Sequence, residues 1–187
     1  MAKAALTYAD YAALPNDGNR YEILDGELFV TPSPASRHQI VLANLVSVLS
    51  PYVRQRGTGM VLFAPLDVIF ADTSIAVPDL IYLDNERRSL LSNRGMEGPP
   101  TLVVEILSPS TARTDRRRKF ALYARFGVDF YWIIDPIERT LEAFRREATG
   151  YVLTRRAISG EACRLSPFDD LDLAIDDLWR DLPADEG

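Results

Sequence analysis

A mixed β-sheet flanked by helices, α/β or α+β in class and preceded by an N-terminal β-hairpin, is the fold this sequence predicts. Three features predict it. Asp25-Gly26 separates two short alternating runs, a strong two-residue hairpin signal. The stretch after Ser36 repeats apolar residues at helical spacing. The apolar run Thr101 to Leu107 is followed by a helical pattern and then by Asp129 to Ile134, a strand–helix–strand order that suits a parallel crossover.

The elements follow in order. Thr7 caps a short helix that runs to Leu14 and is stopped by Pro15 and Asn16. Arg20 to Leu24 and Glu27 to Thr31 form the hairpin. Ser36 caps a long helix that buries His38, Val41, Leu42, Leu45, Val46, Leu49 and Val53 and ends at Gly57. Pro51 sits inside that pattern and is expected to kink it. Met60 to Phe63, Leu66 to Phe70 and Ile75 to Leu83 read as strands, Asn85 to Leu91 as a short helix and Arg94 to Pro100 as a loop. The helix after Ser108-Pro-Ser-Thr ends at Phe126, with Gly127 as its C-cap. Strands follow at Asp129 to Ile134, Thr140 to Arg145 and Tyr151 to Ala157. The acidic tail carries one helical turn near Leu178. With no repeat, linker or low-complexity tract in view, residues 1–187 are expected to form a single domain.

Composition bounds the function. The apolar fraction of 47% is that of an ordinary globular protein. A net charge of −6 argues against constitutive, purely electrostatic binding to nucleic acid but permits a local basic patch. The single cysteine, Cys163, excludes an internal disulfide framework and a multi-cysteine zinc site, and a reducing cytoplasm is the expected compartment. The first residues lack the apolar core of a signal peptide, and no stretch approaches a membrane span.

Three charged residues interrupt segments that otherwise read as core. Asp79 breaks Ala76 to Leu83, Glu105 breaks Leu102 to Leu107, and Lys119 lies in the apolar stripe of the following helix. Strand alternation puts Asp79 on a face with Val77 and Ile81, and Glu105 on a face with Val103 and Leu107. On a helical wheel of about 100° per residue, Lys119 falls in the middle of the stripe of Leu122, Tyr123 and Phe126, while Arg117, Arg118 and Arg125 fall outside it. Charged groups are rarely buried unless paired or bound to metal. Two readings stand on the residues alone. In one, Asp79 is a turn residue, Glu105 a structural ion-pair partner and Lys119 a snorkelling stem. In the other, the two acids and a main-chain carbonyl hold Mg²⁺ or Mn²⁺ and the lysine orients or activates a water.

Pro78-Asp79, Val103 to Thr111, Asp115…Lys119…Tyr123 and Gly127 to Pro136 together resemble the Uma-type family of putative restriction endonucleases, within the PD-(D/E)XK nuclease superfamily. Tyr21 to Glu27 and Ser36-Arg-His38 resemble its N-terminal motifs, so the likeness runs from about Tyr21 to Tyr151. The resemblance implies a restriction-endonuclease-like fold, a divalent metal and hydrolysis of DNA phosphodiesters. Asp79, Glu105 and the main chain of Ile106 would then be the metal ligands, Lys119 a catalytic group and Glu22 an accessory acid. The superfamily's usual lysine position is occupied by Leu107, and Lys119 resembles a migrated lysine.

The remaining candidates have plainer alternatives, and for Glu22 the alternative is an exposed hairpin residue. His38 is the only histidine, either a satisfied structural residue or one that faces substrate. Ser108 is a candidate substrate contact or a helix cap, and Arg113 and Arg116 either grip phosphates or form a solvated helix face. Asp67 reads as a surface residue of a hairpin. A homodimer is expected, with Phe130-Tyr131-Trp132 and nearby hairpins as an interface or, more plainly, as core. Lys119→Met is expected to stop cleavage and leave the chain folded, because it removes a charge from an apolar stripe. Two other classes remain open: a catalytically silent nucleic-acid- or protein-binding module on the same fold, and a metal-dependent hydrolase of small phosphoesters.

Overall fold

The computed structural model describes residues 4–183. Helix α1 spans Tyr8–Ala12, and both the Thr7 main-chain N–H and its hydroxyl donate to Asp10 Oδ2 at 2.8 Å. Strands β1 (Arg20–Leu24) and β2 (Glu27–Thr31) pair antiparallel around Asp25 and Gly26. Both turn residues have positive φ, 54° and 78°, as a type I′ turn requires. A Cβ on Gly26 would lie 2.5 Å from that of Ala5, so glycine is needed there for space as well.

Helix α2 (Ser36–Arg56) carries Pro51 within one uninterrupted helix and ends on Gly57 in the left-handed region. Its N-cap is Ala35 rather than Ser36. Strands β3 (Gly59–Phe63), β4 (Val68–Ala71), β5 (Ser74–Ala76) and β6 (Leu80–Asp84) follow. After a 3₁₀ turn at Glu86–Leu90 come the two-residue strands β7 (Leu91–Ser92) and β8 (Gly95–Met96), a small hairpin where the sequence reads as loop. Strand β9 is Leu102–Ile106.

A continuous helix, α3, covers residues 112–126. Its middle, Asp115–Lys119, is π-helical: the Phe120 N–H bonds back to the Asp115 carbonyl. Strands β10 (Phe130–Asp135), β11 (Thr140–Glu147) and β12 (Gly150–Ile158) complete the main sheet. A further hairpin, β13 (Ala162–Leu165) with β14 (Phe168–Ala174), and a 3₁₀ turn at Ile175–Trp179 form what reads in the sequence as an acidic tail. Asp169, Asp170 and Asp172 interrupt β14 on its exposed positions, which hides the strand period.

Two six-stranded sheets result, β2-β1-β5-β4-β8-β7 and β12-β11-β10-β9-β6-β3. The segment Ile75 to Leu83, expected as one strand, is two strands in different sheets. Pro78 cannot donate to a ladder, and the chain leaves the first sheet at Ala76 and enters the second at Leu80. Strand β9 is central, parallel to β10 and antiparallel to β6, with Glu105 opposite Ile133.

The second sheet is apolar on both faces. One face, with Leu80, Tyr82, Leu102, Val104, Ile106, Trp132 and Ile134, packs on α2 and the C-terminal hairpin. The other, with Ile81, Val103, Tyr131 and Ile133, packs on α3 and residues of the first sheet such as Leu24 and Val68. Tyr131 and Trp132 are wholly inside, so core packing, not an interface, is their role. Among the described residues no helix is long and apolar enough to cross a membrane.

Candidate active site

The chemistry gathers where β1 of the first sheet stands over β9 of the second. Asp79 sits at the crossing between β5 and β6, Glu105 near the end of β9, and Arg20 and Glu22 on one face of β1. The π-helical turn of α3 brings Asp115 and Lys119 inward together. All except Arg20 are buried, at 1–3% exposure, and Arg20 is mostly covered. They line one cavity of about 290 Å³, with His38, Ile106, Ser108 and Thr111 also on its wall.

The cavity has two halves. At one end, Asp79 Oδ1 accepts from Arg20 at 2.9 Å. Its Oδ2 accepts from the Ile106 main-chain N–H at 2.8 Å and lies 3.0 Å from His38 Nε2. Burial alone would raise this carboxyl, but the His38 contact, the Arg20 charge and the Ile106 N–H bring it down to about 2. His38 Nδ1 is buried with no hydrogen-bond partner among the described residues.

At the other end, Lys119 Nζ lies 2.9 Å from Glu22 Oε1, 3.0 Å from Glu105 Oε1 and 3.5 Å from Asp115 Oδ1. Tyr123 donates to Glu105 Oε1 at 2.7 Å, and the Val77 N–H donates to Glu22 Oε1 at 2.7 Å. Burial pushes the Glu105 carboxyl well up. Lys119 opposes this, while Asp115, Asp79 and Glu22 add to it. Burial likewise raises Asp115, against the pull of Lys119. For Lys119 burial favours the neutral amine, but Glu105, Glu22 and Asp115 outweigh it and hold the ammonium well above its usual range.

The sequence expectations can be placed one by one. Asp79, Glu105, Lys119 and Glu22 meet in the cavity, and Ile106 lies against Asp79. Glu22 is buried, not an exposed hairpin residue. His38 and Ser108 line the cavity, and Ser108 also closes a local turn through Thr111. Arg113 and Arg116 do not line it; Arg116 pairs with Glu142, and Arg118 with Glu27. Asp67 is half-buried and accepts from Tyr11 at 2.8 Å. Lys119 is no isolated charge in an apolar stripe, so the expectation that Lys119→Met is silent for folding loses its premise. Sequence reasoning gave no role to Arg20 or Asp115. Arg20 shares a strand face with Glu22, and Asp115 stands one turn before Lys119, which are the signals that identify them.

The donor set suits a hard divalent cation. Four carboxylates, Glu22, Asp79, Glu105 and Asp115, face the two fixed cations Lys119 and Arg20, an excess of two negative charges if all ionise. Lys119 and Tyr123 both donate to Glu105 Oε1, so among the described residues Oε2 is the oxygen open to a ligand. Among the described residues no three His, Cys, Asp or Glu groups form a self-sufficient ion cage. Magnesium does not require one, since it keeps several waters and takes one or two carboxylates.

A family model described as Uma2, putative restriction endonuclease, matches residues 8–176. The chain belongs to that family. Among solved structures it is similar to a putative nuclease belonging to DUF820 from Anabaena variabilis. The TM-score is 0.75 and the identity 23%, over 93% of this chain and 97% of that one. That likeness shows the mixed α+β, nuclease-like fold that the sequence predicts. No curated protein matches the chain.

Proposed function

We propose that this Uma2-family chain is a metal-dependent endonuclease that hydrolyses DNA phosphodiester bonds, with one domain carrying the whole activity. The observation that carries the reading is the single buried cavity in which Asp79, Glu105, Glu22 and Lys119 converge. Asp79, Glu105 and the main chain of Ile106 would hold Mg²⁺ or Mn²⁺, which when bound supplies Lewis-acid polarisation of the phosphate and a more acidic water. The chain's own residues do the rest. Lys119 keeps its proton at neutral pH, so it serves as a fixed positive charge toward the phosphate and not as a base. Arg20 and His38 hold Asp79 ionised and oriented. Glu22 and Asp115 fix the lysine. His38 and Ser108 stand at the wall where substrate enters.

The cysteine count and a DNA target favour a cytoplasmic location. A homodimer, matched to the two-fold symmetry of duplex DNA, completes the reading. Its interface lies elsewhere than Tyr131 and Trp132, and static light scattering gives the mass directly.

The test is a cleavage panel of plasmid and single-stranded DNA in Mg²⁺ and Mn²⁺. Glu105→Gln and Asp79→Asn should each lose ~100-fold or more in rate, the usual cost of removing a preorganised electrostatic group. Equal traces of nicking from wild type and both variants would overturn the assignment. One observation favours a silent binding module instead: both Asp79 oxygens and the Lys119 ammonium are already satisfied inside the protein. DNA-dependent stabilisation without turnover is the result that supports that module.

A further inference from the structure

Beside the acidic cavity lies a second, wider one of about 580 Å³. That volume falls inside the range of roughly 300–1,000 Å³ typical of small-molecule sites. The two cavities share Arg20, Ser33 and Pro34 on their walls, so they form one continuous groove with Arg20 at the junction.

The chemistry of the two differs. The acidic cavity is crowded with buried charges, whereas among the described residues Arg20 is the only cation on the wall of the wider cleft. Asp67 stands on that wall as well, so the cleft does not suit a phosphate. It presents two tyrosine rings, each held by its hydroxyl: Tyr11 donates to Asp67 Oδ1 at 2.8 Å and Tyr21 to Asp17 Oδ2 at 2.7 Å. It also presents two exposed side-chain amides, those of Asn16 and Gln39, with no side-chain hydrogen bond among the described residues, while the Asn19 amide is turned to Asp17 and Tyr21. Tethered aromatic faces stack on planar neutral rings. Free amides carry a donor and an acceptor on one planar group, which matches the edge of a base. Neutral, planar and edge-polar describes a nucleobase rather than a sugar or a phosphate.

We propose that this cleft seats an unpaired nucleobase of the strand whose phosphate enters the acidic cavity, so that the preferred substrate is single-stranded or locally opened DNA. The proposal rests on the nuclease reading of the acidic cavity and names its substrate class. A paired base has its edge hidden and its faces stacked, so a duplex gains nothing from the tyrosines or the amides.

The experiment is fluorescence anisotropy of the full chain in EDTA with a short labelled single strand and with its blunt duplex. A second read-out is the emission of 2-aminopurine placed in the single strand. Wild type should prefer the single strand. The Asn16→Ala, Gln39→Ala double variant and Tyr21→Leu should each lose roughly tenfold for it, with duplex affinity unchanged and the 2-aminopurine quench abolished in Tyr21→Leu. Variants that bind single strands as wild type does, or that lose single strand and duplex alike, overturn the cleft. Metal-free binding is read apart from cleavage. Wild-type cutting with normal variant binding sinks the cleft alone, and single-strand preference with no cutting sinks the nuclease reading alone.

Discussion

Asp79 and Glu105 are two buried carboxylates in one cavity, and their surroundings treat them in opposite ways. Asp79 faces donors only: a guanidinium, an imidazole and a main-chain N–H. Glu105 shares one ammonium with two other acids and takes a phenol as well. The first is held ionised to about 2, whereas the second is pushed well above its ordinary value. Burial is the same for both, so burial does not decide the charge of a buried acid here. The ratio of donors to competing carboxylates does. The cavity thus holds one acid in its charged form and leaves the other with a raised affinity for protons.

The widest test of this contrast is Lys119→Met. It removes the one cation that Glu22, Glu105 and Asp115 share, and breaking a buried pair of this kind costs about 3 to 5 kcal/mol. The loss should be greatest at pH 7 and shrink at pH 5 as the freed acids take up protons. Urea unfolding of both proteins at the two pH values measures it, and equal midpoints at pH 7 would break the comparison.

Divalent metal should act on the same crowding from the other side. Mn²⁺ at a hundredfold excess over its dissociation constant is expected to stabilise wild type by about 2.7 kcal/mol. The Asp79→Asn, Glu105→Gln double variant should show no such gain in thermal melts. An equal shift in both proteins removes these acids from the ligand set.

Acid unfolding separates the two carboxylates. A depressed carboxyl contributes stability above its ordinary value of 3.8, and that contribution fades as pH falls through about 2. Asp79→Asn should therefore flatten the acid limb between these values by about 2 kcal/mol. Glu105 has the opposite sign: its contribution is full below 4.5 and is lost as pH rises from there. Glu105→Gln should accordingly leave the limb below 4.5 unchanged and remove a fall in stability as pH rises above 4.5. The finest test is Tyr123→Phe, which deletes one donor to Glu105 and should cost about 1 kcal/mol at neutral pH.

What was legible in the sequence was local. The hairpin at Asp25-Gly26, the buried run of β9 and the inward setting of Lys119 all follow from periods of two and 3.6 residues and from turn chemistry. The meeting of Asp79, Glu105, Lys119 and Glu22 was anticipated through a motif. The partners that set their charges were not, because Arg20 and Asp79 lie 59 residues apart and touch only once two sheets are stacked. The split of Ile75 to Leu83 between those sheets is equally non-local. Its one sequence mark is Pro78, which also reads as a strand end.

The π-helical turn at Asp115–Lys119 carries a consequence for inheritance. An i→i+5 turn holds one residue more than the α-helical turn it replaces. Deleting a single exposed residue there, Arg117 for example, would restore an ordinary helical path. Asp115 would keep its bearing on Tyr123 to within about 10°, because the lost residue and the tightened turn cancel. The stretch between the acid and Phe120 can therefore shed one residue and keep both ends of the helix facing the pocket. In this stretch a one-residue gap in an alignment is a milder event than the same gap anywhere else in the helix.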